Sequence, residues 1–178
     1  MAPPREPLSL TAGPRTDLFV DPGGGEPVLN ALMLLGATEG DFLLSARVRA
    51  DLRATFDAGA LMLHAGDRTW AKLALERSPQ GEAMIVSVVT RGVSDDANGP
   101  VVVGDGVWLR VARIGGACAL HASADGDRWD LVRHFALDAP DGLAAGLLAQ
   151  SPTGDGCTAT FDDVRFAART LADLRDGS

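Results

Sequence analysis

The stretch Arg110–Trp129, RVARIGGACALHASADGDRW, decides the fold class. RIGGAC and SADGDRW carry the Gly-Gly and Asp-Gly chemistry of tight antiparallel turns, and the apolar runs between them are too short for helices. No helix-length segment intervenes to make a parallel crossover, so consecutive hairpins are expected. The same punctuation recurs upstream in HAGDRTW and ERSPQGEA. Working outward, strands are predicted over Leu29–Leu35, Phe42–Ala50, Gly59–Ala65, Trp70–Arg77, Ala83–Thr90, Val107–Ile114, Ala117–Ser123, Asp130–Ala136, Leu143–Gln150 and Thr158–Phe166. Strands separated by turns at this spacing suit an all-β sandwich or jelly roll of two antiparallel sheets. No linker or internal repeat divides the chain, so residues 1–178 read as one domain with a core over about 8–166 and a short tail over 167–178. Within that tail AARTLADLR has helical character, as a short terminal helix or a frayed end.

Composition narrows the partners. Sixteen Lys plus Arg against 24 Asp plus Glu give a net charge of −8, which repels nucleic-acid backbones and anionic membrane surfaces. A hydrophobic content of 46% with 22% charged residues excludes a disordered chain. There is no Tyr, which removes phenolic acid/base chemistry. The proline-rich start MAPPREP lacks the apolar run of a signal peptide, and LNALMLLGA is cut off by Glu39 and Asp41, so a soluble cytoplasmic protein is expected. Cys118 and Cys157 read as free thiols in a reducing compartment; with three scattered His they give no metal-site spacing, and neither metal nor cofactor is expected.

Writing each strand as two parities singles out the polar residues. Trp70, Lys72, Ala74 and Glu76 share one parity; Trp108, Arg110 and Ala112 share the non-core parity of their strand; Ala117, Ala119, His121 and Ser123 do so in the next. Arg133 shares a parity with Trp129 and Leu131. Trp is costly to expose, and small Ala residues beside it leave room for a ligand. A single concave sheet face holding Trp70, Trp108, Lys72, Glu76, Arg110 and His121 is therefore expected, suited to a carbohydrate or another small polar molecule.

GALMLHAGDRTWAKLALE, SVVTRGVSD, VWLRVARIGG, ASADGDRWDLVRHFAL, AGLLAQSP and FDDVRF, in this order and spacing, resemble the DUF1349 family (regulation of enolase protein-like) over about residues 40–166. TDLF at Thr16–Phe19 fits the family's first strand more loosely. The resemblance implies a concanavalin A-like lectin/glucanase jelly roll. Its motif positions fall here on Gly59, Leu61, Met62, Trp70, Lys72, Glu76, Thr90, Ser94, Asp95, Arg110, Arg113, Ser123, Asp125, Gly126, Arg133, Ser151 and Pro152. This chain has Asp96 where the family commonly has an aromatic, and His64 where it has a basic residue. Because jelly rolls host lectins, glycanases, lyases and adaptors, the resemblance implies fold more than function.

Lys72 and Glu76 lie four apart on one strand face, roughly 13–14 Å by strand rise, too far to pair. Arg110 or Arg133 is expected to bridge Glu76 from a neighbouring strand. A catalytic version has Glu76 as general base, Lys72 as electrophile or anion anchor, and His121 as a further proton carrier. The clustered Glu-x-Asp-x-x-Glu of concanavalin-like glucanases is absent, and lyase chemistry would need His64 or His121 in place of Tyr. His64 and His134 read as half-buried or surface residues. Ser94, Asp95 and Asp96 lie in RGVSDDANGP, an expected edge loop without the EF-hand pattern, where Asp more often caps turns than binds calcium. In SADGDRW, Asp125 and Gly126 fix the turn with Trp129 packed beneath; Ser151 lies at a pocket rim. Three readings follow: a binding protein using Trp70, Trp108, Arg110, Arg133, Ser94, Asp95 and Ser151; a small isomerase, cyclase or hydrolase with Glu76 as base; or an interaction module that dimerises through sheet edges.

Overall fold

The two hairpins of Arg110–Trp129 sit in a six-stranded antiparallel sheet. A computed structural model describes residues 6–140 and 142–178; the first five residues of the proline-rich start lie outside the described residues. In chain order the strands are β1 Leu8–Ala12, β2 Leu18–Phe19, β3 Val28–Leu29, β4 Leu32–Thr38, β5 Phe42–Ala50, β6 Ala58–Gly66 and β7 Thr69–Arg77. They continue with β8 Ala83–Arg91, β9 Val93–Val101, β10 Val107–Ile114, β11 Ala117–Ser123, β12 Asp130–Phe135, β13 Leu143–Gln150 and β14 Cys157–Ala167. The first sheet has the order β1-β14-β5-β10-β11-β12, the second β4-β13-β6-β7-β8-β9, and β2-β3 form a small separate ribbon.

Alternation builds the core. Leu109, Val111 and Leu120 from the first sheet meet Leu61, Leu63, Leu73 and Leu75 from the second in one cluster. Full burial of each such side chain contributes roughly 1.5–3 kcal/mol, which makes the register of each strand stable against slipping. The sheets approach tightly at Gly59, where a Cβ would stand 2.7 Å from Ala159 Cβ and 3.0 Å from Val48 Cγ1.

Both outer faces are covered as well. Residues 16–20 cross the outer face of the second sheet, tied at one end by the Thr16–Ser151 bridge and at the other by Val20 N–H to Ser94 Oγ, 2.9 Å. Leu18 packs there on Ala58, Ala60, Met62, Trp70, Ala74, Val86, Val88 and Leu148. Residues 167–178 lie on the outer face of the first sheet, where Leu171 joins Leu43, Ala112 and Ala119.

Three expectations about elements are corrected. RGVSDDANGP is not a loop: Val93–Val101 is the edge strand β9, whose solvent-facing side tolerates Asp and Asn because it pairs with β8 alone. Leu29–Leu35 divides into β3 and β4, with the chain turning at Asn30-Ala31 on the Asp17 carbonyl. The tail forms no helix; Leu171 and Leu174 pack against the sheet instead. Cys118 and Cys157 are buried free thiols, and burial pushes them up to about 11 and about 12. Among the described residues no helix is long and apolar enough to cross a membrane.

Candidate functional site

The parities of β7, β10 and β11 hold, but they lie on two faces. Trp70, Lys72 and Glu76 lie on the outer face of β7 in the second sheet, whereas Trp108, Arg110 and His121 lie on the outer face of β10 and β11 in the first. The core separates them, so the expected single concave face is corrected to two opposite ones. Each strand parity is defined only against its own sheet, and both sheets turn their apolar parity inward.

On the second sheet, Lys72 is only 2% exposed, and its ammonium donates to Gln150 Oε1 at 2.7 Å, Leu18 O at 2.9 Å and Asp17 Oδ1 at 3.4 Å. It also stands 5.7 Å from the centroid of the Trp70 ring. Three protons meet three acceptors, so the charge is held by the crossing segment and by the end of β13. Glu76, four residues and two pleat repeats further along β7, is 9% exposed, and among the described residues its carboxyl makes no hydrogen bond or ion pair. Neither Arg110 nor Arg133 reaches it: Arg110 is on the far face, and Arg133 pairs with Asp95. Burial pushes the Glu76 carboxyl up to about 7; the Lys72 charge opposes this, while Asp17 and Asp96 add to it.

Glu76 opens onto a cavity of about 170 Å³ lined by Asp17, Phe19, Phe56, Lys72, Val86, Val88, Asp96 and Gln150. The register explains the grouping, because Lys72, Val88 and Asp96 form one row across β7, β8 and β9, and Gln150, Ala58 and Glu76 another across β13, β6 and β7. Phe56 has φ of 69°, a conformation costly for a bulky side chain. It is held there by its N–H to Arg77 O and by Gln150 Nε2 donating to its carbonyl at 3.2 Å.

The other expected site residues are taken up by the fold rather than by the cavity. Trp70 is fully buried beneath Leu18 and does not line the cavity; its Nε1 has no partner among the described residues. Ser94 Oγ accepts from Val20 N–H and bonds Thr90 Oγ1 at 2.9 Å. Ser151 Oγ donates to Asp57 Oδ1 at 2.7 Å and accepts from Gly156 N–H. Asp95 meets Arg133 at 2.9 Å across the open edge of the sandwich. Arg133 reaches it because a register shift between Leu120 and His121 puts Arg133 opposite inward-facing Leu120, reversing the expected parity. Trp108, not Trp129, lies beneath the 123–128 turn, where a Gly126 Cβ would stand 2.8 Å from its ring. Asp125 does fix that turn, accepting from Asp127 and Arg128 N–H at 2.9 Å. His64 is half-buried and His134 exposed.

Asp17, Phe19, Phe56 and Gln150 line the cavity without standing out in the sequence as site residues. Gln150, a lone amide closing the apolar run LAAGLLAQ, was the one readable signal. The others come from segments whose position depends on the crossing of residues 16–20. Among the described residues there is no group of three or more His, Cys, Asp or Glu that could hold a metal ion.

The family profile "Protein of unknown function (DUF1349)" matches residues 3–169. "Regulation of enolase protein 1" of Saccharomyces cerevisiae is 32% identical over 146 residues, covering 80% of this chain and 72% of that protein. A solved structure of a functionally unknown protein from Saccharomyces cerevisiae superposes with a TM-score of 0.80 at 27% identity, over 92% of this chain and 89% of that one. Xylan beta-1,4-xylosidase from Bacillus halodurans superposes with a TM-score of 0.74 at 14% identity, over 89% of this chain but 32% of that one. The alginate lyase from Klebsiella pneumoniae gives 0.52 at 14% identity over 71% of this chain and 59% of that one. At such identities the last two show a shared jelly-roll sandwich and nothing about chemistry.

Proposed function

The chain belongs to the DUF1349 family of unknown function, and from that premise we propose that it binds one small neutral polyhydroxylated molecule, of monosaccharide size, in the cavity at Glu76. The observation that carries this is a largely buried carboxyl, hydrogen-bonded to no described residue, facing a cavity lined by Phe19 and Phe56. A buried acid without a partner is costly in the empty protein, and a ligand hydroxyl supplies the missing donor. The aromatic walls suit the C–H faces of a sugar ring. Lys72 has its protons committed and Asp17, Glu76 and Asp96 surround the space, so anionic sugar acids are disfavoured. Asp96 replaces an aromatic common in the family, which makes this member's cavity more acidic. The cavity, about 170 Å³, is below the usual range for drug-sized ligands and fits a single unit rather than a chain. The carbohydrate-active enzymes that share the fold agree with a sugar ligand. Two free thiols agree with a reducing, cytoplasmic setting.

A second reading, in which Glu76 is a general base, is favoured by a carboxyl titrating near 7, where it can both take and return a proton. Titrating neutral pentoses and hexoses by calorimetry and by amide shifts of Phe19, Phe56 and Gln150 tests the binding reading. Saturable binding that weakens at least tenfold in Glu76→Leu is expected; absence of any response from the unaltered protein across the panel overturns it. Turnover of a bound sugar, lost in Glu76→Gln with binding retained, selects the enzyme.

A further inference from the structure

The opposite outer face carries a second set of unsatisfied groups. Arg110 and His121 are direct partners in the β10–β11 register, so their side chains stand side by side. Both are buried, Arg110 at 5% and His121 at 0% exposure, and Arg110 Nε and His121 Nδ1 have no hydrogen-bond partner among the described residues. The guanidinium lies 4.1 Å over the Trp129 ring, and no carboxylate among the described residues pairs with it. Burial first, and then repulsion from a second cation, Arg169, hold the Arg110 guanidinium down to about 10. A buried cation without an anion, in a protein of net charge −8, is an electrostatically incomplete arrangement.

What fills the place of the anion is the chain itself. Arg110 Nη2 donates to Gly177 O at 2.8 Å, and His121 Nε2 lies 2.9 Å from Leu174 O. One turn of the tail thus presents two carbonyl oxygens to adjacent side chains, as two oxygens of a single oxyanion would. The fit is close. Gly177 has φ of 74°, and a Cβ there would collide with Arg110 Nη2 and stand 2.8 Å from Trp129 Cβ. Ala112 and Ala119, facing each other in the register, leave the recess that Leu171 and Leu174 enter.

We propose that Arg110, His121 and the Trp129 ring form a binding site for a small molecule bearing a phosphate or carboxylate group, and that residues 171–177 occupy it as an internal competitor. The guanidinium and imidazole supply charge-assisted donors to the oxyanion, and displacing the tail exposes the aromatic ring beside them. This site is independent of the cavity at Glu76, which lies across the core.

Gly177→Val sets a side chain against Arg110 and Trp129 and so expels the tail, while every residue of the sheet keeps its identity. Inorganic phosphate and succinate are titrated at low salt into this variant and into the unaltered protein, followed by calorimetry and by amide exchange of residues 171–178. At least one anion is expected to bind Gly177→Val tenfold or more tighter than the unaltered protein. That gain is expected to vanish in Gly177→Val/His121→Gln and in Gly177→Val/Arg110→Gln. Saturating anion is also expected to raise exchange of 171–178 in the unaltered protein while the strands stay protected, which a purely structural role for Arg110 would not produce. Where the tail remains docked in Gly177→Val, Leu171→Asp with Leu174→Asp detaches it and the same criterion applies. No saturable binding of either anion to a variant with a released tail, or binding unchanged by His121→Gln, overturns the proposal.

Discussion

Lys72 and Glu76 share one face of β7, yet the cation gives all its protons to Gln150, Leu18 and Asp17 and none to the acid. The result is a satisfied ammonium and a carboxyl that must find its donor outside the protein.

Glu76 lowers stability above neutrality. Its folded value of about 7 exceeds the ordinary 4.5, so the folded state holds the proton more tightly and stability falls as pH rises from about 4.5 to 7. Glu76→Gln is expected to be neutral at pH 4 and stabilising by on the order of 3 kcal/mol at pH 8. Paired denaturant titrations at the two pH values check it; equal effects at both would contradict the buried, unpaired acid.

Charges around the cavity act on Glu76 in opposite directions. Asp17→Asn is expected to lower the Glu76 midpoint and Lys72→Met to raise it, since Lys72 holds it down and Asp17 pushes it up. Lys72→Met also costs about 3–5 kcal/mol, because Asp17 and Gln150 lose a buried cation. Carbon-13 titration of the side-chain carboxyl reads the midpoints.

Gly59→Ala should destabilise by roughly 1–3 kcal/mol through overpacking, as the added Cβ meets Ala159 at 2.7 Å and Val48 at 3.0 Å. Unfolding in urea measures it, and Gly59→Ala with Ala159→Gly should recover part of the loss.

Ser151→Ala should cost roughly 1–3 kcal/mol by stranding the buried Asp57 Oδ1 acceptor and the Gly156 N–H. Sugar affinity at Glu76 is expected to change less than threefold, which separates a structural hydroxyl from a ligand contact.

Period-two alternation made the strands legible: Phe42–Ala50, Val107–Ile114, Ala117–Ser123 and Leu143–Gln150 were readable to the residue. It also placed Lys72 and Glu76 on one face. What alternation cannot carry is which sheet a strand joins, so it cannot separate the face of Trp108, Arg110 and His121 from that of Trp70. β9 escaped because an edge strand needs little apolar sequence. Arg133 was misdirected by one bulge, and AARTLADLR by a helical pattern that packing of Leu171 on Ala112 and Ala119 overrides.

Residues 16–20, hydrogen-bonded at Ser151 and Ser94, carry both Asp17 and Phe19 of the cavity wall. That wall is a segment laid over the sheet rather than part of it, so two of the side chains that would meet the proposed ligand are positioned by hydrogen bonds at the segment's two ends. Loosening either end, at Thr16 or Ser94, would displace Asp17 and Phe19 without altering the strand order of the sheet.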